Sequence, residues 1–88
     1  MGEGAEDWKK EWAMKWLEGS ILSYVKGRIT LAMLLGRIRR ALESYSIRKE
    51  DVRAILSLIQ DNPAYLPSLT KEEKESKVKT VLNALEGI

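Results

Sequence analysis

Six basic side chains in the middle of the chain, Lys26, Arg28, Arg37, Arg40, Arg48 and Lys49, are the first residues whose type and spacing point to chemistry. Residues 24–49 hold these six and Arg39 against Glu43 alone, a local charge of +6, while residues 1–23 and 50–88 each carry −2. Cations gathered in this way bind phosphates, releasing counterions from DNA or RNA, or bind an acidic protein surface. At about 100° per residue along a helix, Arg37 and Arg40 share one exposed flank with Thr30 and Ser44. Arg39 projects to the other side, four residues before Glu43 and spaced for an ordinary ion pair. Lys26 and Arg28 precede this helix and Arg48 and Lys49 follow it, so they extend the patch if the turns fold toward it. The plainer reading of the same residues is a solvated helix face.

The three tryptophans, Trp8, Trp12 and Trp16, are four residues apart and form one stripe within about 80° of a helix. The same helix carries a second apolar sector of Ala13, Leu17, Ile21 and Tyr24, flanked by Met14 and Val25. One sector suffices to face a bundle, and the aliphatic one matches the Leu- and Ile-rich faces of the other helices. The stripe is then expected to form a protein interface, with Trp12 at its middle, because Trp is enriched at interface hot spots. The competing reading places the stripe in the core. Base stacking and membrane anchoring are weaker readings, and for base stacking a rigid Trp row beside Glu11 is an odd platform.

Little else offers reactive chemistry. There is no Cys and no His, which removes thiolates, imidazole bases, disulfides and nearly every zinc site. Glu72, Glu73 and Glu75 look like paired acids, but they fill the first turns of a helix, where carboxylates favour the dipole and a capping box. No phosphate-cradling glycine loop, nucleophile motif or calcium-loop spacing is present. The sequence therefore predicts no enzyme, no cofactor, no metal and no small-molecule substrate.

Glycine and proline divide the chain into four helical segments, at about residues 5–26, 31–45, 49–60 and 71–86. Glu6 and Asp7 suit the start of the first, Gly19-Ser20 is a candidate kink, and Gly27 is a C-terminal stop. Thr30 caps the second, with Ile29 and Leu34 spaced as a hydrophobic staple. Ile47 and Val52 repeat that spacing at the third, where Arg48 would be a poor N-cap. Thr70 and Glu73 form a capping box at the fourth, and Gly87 ends it. Between the third and fourth lies "DNPAYLPSL", a loop stiffened by Pro63 and Pro67 and anchored by Tyr65 and Leu66. The expected architecture is an all-α, single-domain bundle spanning residues 1–88, with residues 1–4 flexible. The second and third helices lie close enough for a helix-turn-helix. However, Glu50 and Asp51 at the start of the third would repel DNA, which argues against sequence-specific reading.

With 88 residues the chain makes one small domain, whose margin of buried surface is thin. A high charged fraction with two Asn, one Gln and no Cys resembles proteins from hot environments, so thermostability is expected. The N-terminus lacks a secretory pattern, and the longest apolar run, "LAMLL", is far short of a membrane span. These features predict a cytoplasmic protein with no membrane contact. The functional expectation is a non-catalytic accessory subunit of a DNA- or RNA-handling complex. It would bind a larger protein through the first helix and turn its basic flank to nucleic acid or an acidic surface. The alternatives are a structural module that self-associates into a homo-oligomer through its first helix and has no nucleic-acid role, and, third, a standalone non-specific DNA binder.

Overall fold

Local rules account for most of the helix ends. In the computed structural model, which describes the backbone of residues 2–88 and the side chains of residues 8–88, four helices form: α1 (Gly2–Val25), α2 (Leu31–Ser44), α3 (Lys49–Asp61) and α4 (Lys71–Glu86). No strand is present among the described residues, and the fold is an all-α bundle as the sequence predicts. Of residues 1–4, expected to be flexible, residue 1 lies outside what is described and residues 2–4 open α1. Apart from the start of α1, every helix end falls within one residue of its expected position.

The caps explain this agreement. Thr30 Oγ1 accepts from Met33 N at 3.2 Å, and Thr70 and Glu73 exchange both bonds of a capping box. At α3 the unsuitable Arg48 is tolerated because the Asp51 carboxylate accepts its backbone N–H at 2.9 Å, which supplies half of a box. Gly27, with φ of 81°, ends α1 in a Schellman turn in which Arg28 N donates to Ser23 O and Gly27 N to Tyr24 O. The kink expected at Gly19-Ser20 does not interrupt α1; Ser20 Oγ donates back to Trp16 O at 2.8 Å and the helix continues.

Ala13, Leu17 and Ile21 of α1 are fully buried among Leu34 and Ile38 of α2, Leu56 and Ile59 of α3, and Val81 and Leu85 of α4. The α3–α4 loop is fastened twice. Leu66 is buried in the left-handed conformation (φ 50°), and the Tyr65 hydroxyl donates to Glu18 Oε1 of α1 at 2.6 Å. Lys10 of α1 pairs with Asp51 of α3 at 3.4 Å, so Asp51 both caps α3 and holds it to α1. Lys74, only 4% exposed, lays its stem in the interior and points Nζ at Asn62 O, 3.4 Å away at the negative end of α3.

Two outcomes are expected from these fastenings. The Glu18 carboxylate holds the Tyr65 phenol above its ordinary value of 10.0, mainly by accepting its hydrogen bond, then through desolvation and charge repulsion. The folded chain thus keeps a proton that the unfolded chain loses. That contribution is whole below pH 10.0 and drains away as pH climbs through the raised value. Urea unfolding across alkaline pH should therefore show a shallower decline in Tyr65→Phe than in the parent, and equal declines would refute the coupling. Lys74→Ala should lose about 1–3 kcal/mol of unfolding free energy, through lost stem packing and an orphaned carbonyl. Lys74→Met, which restores the stem, should regain part of that loss in the same urea titration.

Candidate interaction surface along the first two helices

Helix α1 cannot bury both of its apolar sectors, because its neighbours cover only one side. The aliphatic sector enters the core, while Trp8 is 65% exposed and Trp12 48% exposed. Trp16, at the edge nearer the core, is half-buried and packs against it. The stripe expected from sequence is thus a graded surface, outermost at Trp8 and anchored at Trp16.

Its anchor is aromatic. The Trp12 and Trp16 rings stack with centroids 5.9 Å apart and planes 11° from parallel. Tyr45, just past the end of α2, meets Trp12 at 5.7 Å and Trp16 at 6.1 Å in tilted and edge-on contacts. Such pairs contribute about 0.5–1.5 kcal/mol each beyond area burial. Helical spacing alone places Tyr45 on the core face of α2, and only the fold shows that it orders the tryptophans. The signal was available only as a Tyr at the C-terminal end of a helix that packs antiparallel to α1.

The basic residues divide on folding. Lys26, Arg28, Arg40 and Arg48 are exposed. Arg37 is half-buried and donates from Nη1 to Ser20 Oγ of α1 at 3.1 Å; Ser20 is 3% exposed and in turn donates to Trp16 O. Lys49, at the start of α3, is drawn to the segment after α4, where Nζ donates to Ile88 O at 2.9 Å. Arg39 and Glu43 both face solvent, and no ion pair joins them. Lys49 and Arg37 therefore hold elements together, and the freely presented cations are fewer than the charge count implies.

The Arg37–Ser20 bond also fixes how the two candidate surfaces lie relative to each other. It sits one turn beyond Trp16 on the α1–α2 seam, and Tyr45 crosses the same seam two turns further along α2. The α2 flank that carries Arg37, Arg40 and Ser44 therefore borders the tryptophan stripe. They belong to two helices that the chain separates, and folding makes them neighbours.

The other candidates are ordinary surface. Glu72 and Glu75 are exposed and Glu73 is engaged in its capping box. Among the described residues no group of three acidic, His or Cys side chains is placed to hold a metal, and no helix is long and apolar enough to cross a membrane. The structure defines a small helical bundle with an aromatic–basic seam. Comparison with known proteins finds no matching family model, no matching curated sequence and no matching solved structure, so the functional argument rests on the side chains.

The graded exposure has a direct optical consequence. In variants retaining one tryptophan each, with Phe at the other two positions, acrylamide quenching should rank Trp8 above Trp12 and Trp12 above Trp16. The Trp8 variant should also show the reddest emission. A blue-shifted, poorly quenched Trp12 in the isolated chain would mean that the stripe is covered.

Proposed function

We propose that this chain is a non-catalytic helical interaction module that docks on a larger protein through Trp8, Trp12 and Trp16. In this reading it serves as an accessory subunit of a nucleic-acid-handling complex. The observation that carries the docking half is the pair of large indoles left in water, 65% and 48% exposed, on a helix whose other apolar face fills the core. Trp12 is held in one orientation by Trp16 and Tyr45, so little side-chain freedom remains to be lost on binding. The nucleic-acid half draws support from the exposed Lys26, Arg28, Arg40 and Arg48 and from the charge block they belong to.

The two halves separate experimentally. Trp12→Ala should abolish capture of the partner while lowering stability by only about 1–2 kcal/mol. Leu58→Ala, at an exposed apolar residue on α3, should leave capture intact. Arg28→Glu with Arg40→Glu should weaken retention of DNA or RNA, and retention in the parent should fall steeply with salt. Failure to retain any nucleic acid at low salt would remove that half alone. A stable dimer in light scattering, broken by Trp12→Ala, would replace the larger partner with a second copy.

A further inference from the structure

We infer that the α1–α2 seam receives an acidic amphipathic helix of a partner protein. The apolar face of that helix would cover Trp8, Trp12 and Tyr45, and its carboxylates would pair with Lys9 and Lys15 on α1 and with Arg37 and Arg40 on α2. The inference rests on the docking half of the reading above and names the chemistry of what docks.

Charge complementarity is the first argument. On α1, Lys9 and Lys15 stand about 60° to either side of Trp12, both exposed, so they rim the stripe on its two sides. On α2 the adjoining flank contributes Arg37 and Arg40. Against these four cations the described rim of the stripe holds one acid, Glu11, which lies outside Lys15 at about 100° from Trp12. An apolar strip bordered by cations selects a partner whose apolar strip is bordered by anions, and the sign discriminates strongly against a basic one.

Shape and backbone chemistry make that partner helical. From Trp8 to Ser20 the surface runs straight for about 18 Å, the length of three to four helical turns. A bundle with no strand among its described residues offers no free sheet edge, so an extended peptide would gain no ladder of backbone bonds. A helix satisfies its own backbone and needs only side-chain contacts, with anchors at spacings of three and four residues.

Two other occupants fit less well. A second copy of α1 crossing antiparallel with Trp12 on the two-fold axis sets Lys9 beside Lys9 and Lys15 beside Lys15 of the copy. A parallel crossing sets Lys9 beside Lys15, so either arrangement brings like cations onto one flank, with Glu11 the single described acid of each rim to offset them. Single-stranded nucleic acid needs ring faces open for stacking. Trp12 has Trp16 stacked 11° from parallel on one side and Tyr45 5.7 Å away, which leaves Trp8 as the free indole.

The test uses the full chain and two synthetic helices of about 18 residues, identical in a Leu-rich face and differing only in Glu or Lys at the flanking positions. Tryptophan emission and calorimetry read binding. The Glu-flanked helix is expected to bind about tenfold or more tighter than the Lys-flanked one, with the difference shrinking as salt rises. Because Arg37 also bonds Ser20, the charge test uses Lys15→Glu with Arg40→Glu, both at exposed positions, and this variant should reverse the preference. Equal binding of both helices, lost in Trp12→Ala, would overturn the acidic-partner inference while leaving the docking surface intact. Binding of neither helix would overturn the inference, and so would tighter binding of an oligonucleotide than of the Glu-flanked helix if that binding is lost in Trp12→Ala.

Discussion

The burial of Ala13, Leu17 and Ile21 against three other helices is the constraint from which the remaining features follow. A helix face wide enough to accept neighbours on one side leaves the opposite side in water, whatever residues occupy it. Because the aliphatic sector is the one engaged, Trp8 and Trp12 are turned outward, about 140° from Leu17 to Trp12 and about 180° at the extreme of Ile21 and Trp12. The same engagement brings Ser20 under α2 and Glu18 under the α3–α4 loop, so the polar fastenings at Arg37 and Tyr65 depend on which α1 face is buried. Had the stripe been core, these bonds would have no geometry in which to form.

The seam between α1 and α2 converts a packing contact into an organised surface. Ser20 is nearly buried, and its hydroxyl uses both of its capacities, donating to Trp16 O and accepting from Arg37. A guanidinium at this place is therefore positioned from below rather than free in solvent. Tyr45 acts likewise at the other end, setting its ring against both Trp12 and Trp16. Long side chains that are already ordered lose less entropy on association. An exposed Trp with fixed neighbours is thus better suited to binding than an isolated one such as Trp8 among the described residues.

Much of the fold was legible because helix punctuation is local. Thr30, Thr70 with Glu73, and Gly27 act within four residues of themselves, and each behaves as its type and position require. The burial of α1's aliphatic sector was legible too, from periodicity and from the chemistry of the partner faces. What the sequence did not disclose depends on which distant residues meet. Lys49 binds Ile88 O across 39 residues, Arg37 meets Ser20 across 17, and the buried Lys74 reaches Asn62 across 12. By charge alone Arg37 and Lys49 are equivalent to Arg40 and Arg48, and only tertiary placement distinguishes them. The adjacency of stripe and basic flank was hidden for the same reason, since a helical wheel describes one helix at a time.

Magnitudes decide whether the tryptophans alone could hold a partner. The parts of Trp8 and Trp12 left in water amount to on the order of 200 Å². At about 25 cal/mol per Å² their burial is worth roughly 5 kcal/mol. Association costs an estimated 4–15 kcal/mol before any side chain is ordered, so the stripe by itself supports at best a fleeting contact. A standard specific interface covers about 800 Å² on each side, several times what the two indoles provide. The additional area has to come from surface contiguous with them, and the neighbouring α2 flank with Arg37 and Arg40 is where the fold supplies it. Aromatic anchors give such an interface its energy and the cations its selectivity, and neither suffices without the other. A stable complex of the proposed kind therefore requires both features at once, although they lie on different helices of the chain.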